Sequence, residues 1–382
     1  MFNHIIIGAG LAGSVIAERI ASHLNEKVLI IEKRNHIGGN CYDCKDKNGI
    51  IVHKYGPHIF HTDYKDVFDY LSNYTDWHVY HHRVLAFIDG KKVPIPFNLN
   101  TLYMLFPKTL AQRIEEKLLN KFVYNSKVPI LELKREEDDD LQFLSNYVYE
   151  KVFLHYTMKQ WGLKPEDIDP KVTARVPVHI SRDDRYFTDK YQGVPIEGYA
   201  KIFERMLDHP NIKLMLNTDF KEVMKMDSER GKVYFLGQEF DGNVIFTGMI
   251  DDLFEYKFGE LPYRSLGLEF KAIERDYFQE TAVVNYPNDY DFTRITEFKH
   301  MHPVESKKTV ILKEYPKAYQ VGSDVPYYPV FKEENIELYN KYKGLAERFK
   351  NIILVGRLAE YRYYDMDDVV KRVLEVFDER IK

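Results

Sequence analysis

The chain has 382 residues, 45% hydrophobic and 30% charged, with a formal net charge of −5. That length and composition describe a globular protein of two or three domains, and the acidic balance gives no reason to expect nucleic acid as a partner. No apolar run approaches the ~20 residues that cross a bilayer, and the strand that opens the chain leaves no room for a signal peptide, so a cytoplasmic protein is expected.

The first element is the apolar run Ile5-Ile6-Ile7, followed at once by Gly8-Ala9-Gly10-Leu11-Ala12-Gly13. Strand, three spaced glycines and helix form a dinucleotide-binding turn. Gly8 permits the tight turn, Gly10 lets a pyrophosphate approach the backbone, and Gly13 lets helix and strand pack closely. The helix start then offers free N–H groups and a positive dipole end to phosphate. A second strand, Val28-Leu29-Ile30-Ile31, ends on Glu32, whose carboxylate suits the hydroxyls of an adenosine ribose and repels a 2′-phosphate. Gly38-Gly39, six residues further on, is a second point of close approach; this pattern resembles large FAD-dependent proteins and favours FAD over NAD.

The pair Cys41 and Cys44 has C-x-x-C spacing. Two thiols alone do not make a four-ligand zinc site; a redox dithiol and two incidental thiols in a turn are the open readings. Tyr55-Gly56-Pro57-His58-Ile59-Phe60-His61 is a turn-rich stretch with two histidines, and a helix follows from about residue 63 to 73. Residues 77–97 read as strands turning at Asp89-Gly90 and at Pro94 and Pro96. From about 99 to 164 the apolar spacing becomes helical, with Leu141, Leu144, Val148 and Val152 on one face. The charge run from Lys134 to Asp140 reads as a solvated loop and helix start.

A helix is expected over 198–208, then strands at 212–216, 232–236 and 243–247. Leu266, Leu268, Phe270 and Ala272 alternate with other residues, as in a half-buried strand, and further strands are expected at 281–286, 292–298 and 308–315. After a long helix at about 334–349, the strand Ile352-Ile353-Leu354-Val355, the turn Gly356-Arg357 and a helix from Met366 repeat the logic of the first residues. Asp365 stands at its N-cap. Residues 1–65 and 350–382 therefore belong to one sheet, and the domains are discontinuous.

No hydrolase or metalloprotease motif is present, so a cofactor carries the hard chemistry. Two segments look like a grip for a diphosphate. One runs Tyr156-Thr157…Trp161-Gly162 to Arg175 and Tyr186-Phe187. The other gathers Tyr263-Arg264, Arg294, Tyr327-Tyr328 and Tyr361-Arg362-Tyr363. Guanidinium meets phosphate bidentately, tyrosine hydroxyls donate the remaining hydrogen bonds, and an indole stacks on a sugar or base.

These segments, with Y-G-P-H-I-F-H-T at 55–62, T-A-R-V-P-V at 173–178, T-R-I-T-E-F-K-H at 293–300 and G-R-L-A-E-Y-R-Y-Y-D-M-D at 356–367, resemble bacterial UDP-galactopyranose mutases along essentially the whole chain. The resemblance implies an α/β protein. An FAD-binding Rossmann-like domain (1–80, 197–247, 340–382) carries an inserted helical domain with a mobile substrate lid (99–184) and an antiparallel β-sheet domain (81–98, 185–196, 248–339). It implies redox-neutral interconversion of UDP-galactopyranose and UDP-galactofuranose, a furanose supply for surface polysaccharides. In that scheme the N5 atom of reduced FAD attacks the anomeric carbon and UDP leaves. A flavin–sugar iminium opens and recloses, and UDP adds again. An external reductant such as NAD(P)H and a homodimer are also implied.

Position by position, the resemblance gives Arg175, Arg294, His58 and His61 as catalytic. Phe153, Tyr156, Thr157, Trp161, Tyr186, Phe187, Arg264, Tyr327, Tyr328 and Tyr363 join the two arginines around the substrate; which of Tyr327 and Tyr328 meets the diphosphate stays open. The cofactor contacts are Gly8, Gly10, Gly13, Glu32, Arg34, Gly38, Gly39, Asn40, Gly56, His58, His61, Arg357, Asp365 and Met366, with no metal. Val152 is a departure, because an aromatic residue is common at that edge of the uridine site.

Overall fold

The computed structural model describes residues 2–162 and 177–382. The first strand, His4–Ile7, lies at the centre of a five-stranded parallel sheet. Its neighbours are Val28–Ile31 on one side and Asn243–Phe246 on the other, with Ile212–Met215 and Ile352–Leu354 at the edges. The strands are apolar on both faces because both faces are covered. Ile6, Val28, Ile30, Ile245 and Ile353 pack against the helices Leu11–Arg19, Tyr199–Leu207 and Met366–Arg380. Ile5, Ile7, Leu29 and Ile31 point the other way, into Phe220, Phe254, Tyr342 and Phe349. Residues from the beginning, middle and end of the chain thus build one layer, as the two similar strand–turn–helix segments required.

The second large sheet has seven strands in the order Tyr328–Pro329, Tyr263–Ile273, Thr309–Ala318, Arg294–Glu297, Val283–Asn285, Val84–Ile88, Lys91–Ile95. All its pairings are antiparallel except Val283–Asn285 with Val84–Ile88, so the sheet is mixed rather than wholly antiparallel. The parallel pair arises because the early hairpin, turning at Asp89-Gly90 with positive φ at both residues, is joined to the later meander only after a long excursion of chain. The strand Tyr263–Ile273 also differs from the sequence expectation. Tyr263 and Ser265 face the core, whereas Phe270 is 37% exposed and Ala272 is exposed. Beyond Arg264 no strand among the described residues covers its outer edge, so the alternation continues past the buried part of the sheet.

Helices Leu99–Leu105, Lys108–Lys121, Asp139–Val148 and His155–Trp161 cover this sheet. Their shared core joins Leu118, Leu141, Leu144, Val148, Val152 and Phe153 to Val84, Ala86, Val283 and Leu312. The charge run at 134–140 does start a helix: Asp138 caps it by accepting from the backbone N–H groups of Asp140 and Leu141, while Lys117 and Arg113 pair with Asp140. Between the last two helices the winding widens over Tyr149–Leu154, a π-type turn that directs Val152 and Phe153 inward just before Tyr156.

No helix among the described residues is long and apolar enough to cross a membrane.

Candidate functional site: a dinucleotide cleft beside a half-buried arginine

The cleft opens at the carboxyl ends of the parallel strands, where open α/β sheets bind ligands. Gly8, Gly10, Gly38, Gly39, Glu32, Arg34 and Asn40 line it from the first half of the chain; Tyr327, Arg357 and Met366 line it from the second. Gly39 stands at φ +55, and a Cβ there would lie 2.8 Å from the Gly10 Cα, so the two glycine turns touch through backbone alone. At Gly13 a Cβ would lie 1.9 Å from the Gly8 carbonyl oxygen, so this glycine serves the close packing of helix on strand. Gly13 and Gly56 are not among the cleft-lining residues.

Glu32 is buried at the strand end. Its two carboxylate oxygens accept from the backbone N–H groups of Ala9 (2.9 Å) and Arg34 (2.8 Å), which ties the second strand to the glycine turn. Arg34 donates through Nη2 to Asn40 (2.9 Å) and lies over the Tyr55 ring at 4.3 Å, yet its buried Nη1 has no partner. A buried guanidinium N–H without an acceptor is costly. Together with the glycine cradle it fits an anionic dinucleotide in the cleft.

Arg357 sits over the rings of Tyr328 (5.0 Å) and Tyr363 (5.4 Å), which stack on each other at 5.6 Å and 9°. It also donates to the carbonyls of Tyr327 and Tyr364. Asp365 precedes the last helix and its N–H donates to Asp368; Met366 is the residue of this pair that lines the cleft. Cys41 also lines it, with its thiol directed to the Met366 sulfur at 3.7 Å. Burial pushes the Cys41 thiol up to about 12, which disfavours the thiolate that redox chemistry uses.

His58 lines the cleft; His61 does not. Burial, aided by the charges of Arg357 and Arg294, lowers His58 to about 4. The ring is therefore neutral, its Nδ1–H donates to the Gly56 carbonyl at 2.9 Å, and Nε2 keeps its lone pair. His61 stacks on Phe187 at 3.6 Å, with Nδ1 3.3 Å from Asp189. Burial works against its charge, but Asp189 outweighs it and raises the His61 pKa. The two histidines of one short motif thus hold opposite charge tendencies.

The half-buried arginine, Arg294, is positioned by strand register. Asn285, Arg294 and Glu314 are direct cross-strand neighbours on three adjacent strands, so their side chains share one face. Arg294 Nε donates to Glu314 Oε1 at 2.7 Å. Glu314 is 2% exposed and Arg294 27%. Burial opposes the Arg294 charge, but Glu314 more than offsets it and the pKa rises, so the arginine is a permanent cation with its terminal nitrogens left for another anion. Tyr156, Tyr186 and Tyr328 stand in the same electrostatic neighbourhood. Burial raises the Tyr156 hydroxyl, which stays protonated and able to donate.

Of the two adjacent tyrosines, Tyr327 lines the dinucleotide cleft, and Tyr328 lies near enough to Arg294 to act on its charge. Behind Tyr156 and Tyr186, a small cavity is walled by Ala86, Ile95, Pro96, Val152 and Pro287, and by Asn285, whose buried Oδ1 lacks a partner.

Three other expected substrate residues, Phe153, Thr157 and Arg264, are buried or bonded within the surrounding fold. Phe153 is fully buried in the core between helices and sheet, and Thr157 is buried beside it in sequence. Arg264 donates to the carbonyls of Gln160 (3.0 Å) and Lys159 (3.2 Å), closing the end of the helix His155–Trp161 rather than facing Arg294. Arg175 and the Trp161 side chain lie outside the described residues. Glu314 and Asn285 were not expected from the sequence. Their only signal is a strand register that no single segment displays.

A profile of the UDP-galactopyranose mutase family matches residues 151–363, and one of an NAD(P)-binding Rossmann-like domain matches residues 6–74. The chain belongs to the UDP-galactopyranose mutase family. It is 39% identical to a Klebsiella pneumoniae protein described as "probable UDP-galactopyranose mutase", over 99% of this chain and 94% of that one. It is 38% identical to the dTDP-fucopyranose mutase of Escherichia coli, over 97% and 96% respectively. A crystal structure of reduced UDP-galactopyranose mutase superposes with a TM-score of 0.69 at 17% identity, covering 99% of this chain and 93% of that one. That last likeness speaks for the fold.

Proposed function

We propose that the protein interconverts UDP-galactopyranose and UDP-galactofuranose without net redox change, using FAD in its reduced form. The observation that carries this reading is the Arg294–Glu314 pair: a fixed cation beside the dinucleotide cleft, with the protonated Tyr156 and the rings of Tyr186 and Tyr328 around it. An enzyme that only moved hydride would not need a diphosphate clamp at that place.

The cradle of Gly10 and Gly39, the unpartnered Arg34 Nη1 and the N-terminus of the helix Met366–Arg380 would hold FAD. When bound and reduced, the flavin would supply a nucleophile at the anomeric carbon, a role that no side chain among the described residues is set up to fill. Arg294 binds the leaving diphosphate through its free terminal nitrogens, with Arg175 proposed opposite. Tyr186, Tyr328 and Tyr363 donate to the remaining oxygens. Holding UDP there between departure and return keeps its effective concentration high. His58, neutral and with Nε2 open, accepts a hydrogen bond at the cofactor side. An NAD(P)H-type reductant, a homodimer and a cytoplasmic location belong to the same proposal.

The test is incubation of dithionite-reduced protein with UDP-galactofuranose, its N-acetyl analogue and dTDP-fucofuranose, with chromatography of the products. Pyranose formation from the first, at constant flavin redox state, is the expected result. Stoichiometric oxidation of the sugar would replace this reading with an oxidase, and binding without conversion would leave a nucleotide-sugar binding protein.

A further inference from the structure

Asp43, His53 and His302 are buried, and their polar atoms lie within 4.8 Å of one another. The spacing would suit a metal, but the hydrogen bonds do not. The His53 Nδ1 accepts from the backbone N–H of His58 at 2.9 Å, so a neutral His53 carries its proton on Nε2. That proton points at the His302 Nε2, 2.9 Å away, leaving no lone pair on His53 Nε2 for a metal ion. Burial holds His53 well below the ordinary histidine value and lowers His302 to about 4, so both rings are neutral as this pattern needs. Asp43 is already used: its two oxygens accept from the N–H groups of Tyr199 (2.6 Å) and Ala200 (2.9 Å) at the start of the helix Tyr199–Leu207.

The four groups form a directed chain. His302 Nε2 accepts from His53 Nε2–H, His53 Nδ1 accepts from the His58 N–H, and the His58 ring donates to Gly56. We infer that His53 and His302 are positioning residues, a buried imidazole relay that fixes the backbone of His58 and thereby aims its Nε2 into the cofactor cleft. Each bond in the relay admits one direction only. The His58 N–H selects the His53 tautomer, because the other tautomer would set an N–H of His53 against it, and His302 is the terminal acceptor that the selected tautomer needs. The walls are rigid: His53 meets the edge of Tyr199 at 5.6 Å and lies 5.3 Å from the Phe298 ring.

The catalytic part of this inference rests on the mutase reading; the tautomer part does not, and the experiment separates them. Holoenzyme labelled with 15N-histidine is examined by long-range proton–nitrogen NMR, with His302→Leu and His302→Gln compared. The wild type is expected to show the His53 proton on Nε2. His302→Leu, which removes the acceptor, should lower kcat about tenfold at constant KM and shift the flavin absorbance band. His302→Gln, whose amide oxygen can accept, should recover kcat to within about twofold. A wild-type His53 proton on Nδ1, or Leu and Gln variants that behave alike, overturns the relay. A wild type with the expected tautomer but no mutase turnover supports the relay and overturns the mutase reading instead.

Discussion

Replacing Arg294 by Met should separate the two halves of the site's central interaction. Glu314 is 2% exposed and, among the described residues, its carboxylate reaches one cation, at 2.7 Å. Breaking a buried pair from one side costs about 3–5 kcal/mol. Here the lower end applies, because Arg294 keeps 27% of its surface in solvent. Arg294→Met should therefore destabilise the fold by about 3 kcal/mol in denaturant unfolding, and Arg294→Met with Glu314→Gln should recover most of that loss, because the remaining amide carries no charge. Catalysis should not follow the same pattern. With Nε bound to Glu314, the terminal nitrogens are left for the diphosphate. Two charge-assisted bonds at about 1.5–3 kcal/mol each correspond to a loss of roughly 10²–10⁴ in kcat/KM. Both the single and the double variant should show it, while flavin content by absorbance stays near one per chain. Glu314→Gln alone keeps the cation and should lose only about tenfold, through a less fixed guanidinium. Turnover of UDP-galactofuranose by reduced Arg294→Met within a few-fold of the wild type would refute the diphosphate role, and a double variant no more stable than the single would refute the buried-charge argument.

Gly39→Ala should abolish flavin retention, since its Cβ would press on the Gly10 backbone from a positive-φ residue; the bound flavin-to-protein ratio measures this. Asn285→Ala should raise the KM for UDP-galactopyranose several-fold with little change in kcat, if the unpartnered Oδ1 meets the substrate; steady-state kinetics on the pure protein decides it. Stability should fall as pH drops from about 6.5 towards 4. Burial lowers His58 and His302 to about 4 and His82 to about 3, so the unfolded chain binds protons in that window that the folded chain does not. Asp43, raised to about 6 by burial, acts in the opposite sense between about 4 and 6, so Asp43→Asn should steepen the decline; thermal melts across pH 4–7 read both effects.

What the sequence makes legible follows the range of the interactions. The dinucleotide turn is local: strand, glycines, helix and Glu32 occupy the first 32 residues, and each residue type has a backbone reason. The return of the chain to the same sheet is legible because the second strand–turn–helix copies the first pattern. The site beside the cleft is not local. Glu314 looks like one more charge in a strand until the register sets it opposite Arg294, twenty positions earlier. Arg264, by contrast, stands among tyrosines in sequence yet spends its donors on two helix carbonyls, because the register puts it beneath the end of His155–Trp161. Composition marks both arginines equally; only the acceptor within reach tells them apart. The same holds for His58 and His61, three residues apart in one motif. Burial and two nearby arginines hold the first ring neutral, and a carboxylate favours charge on the second. A motif thus fixes which side chains are available, and the strand packed across from it fixes their protonation and direction. That is why a single acceptor change in that second layer, at His302 or Glu314, should alter catalysis while every motif residue stays in place.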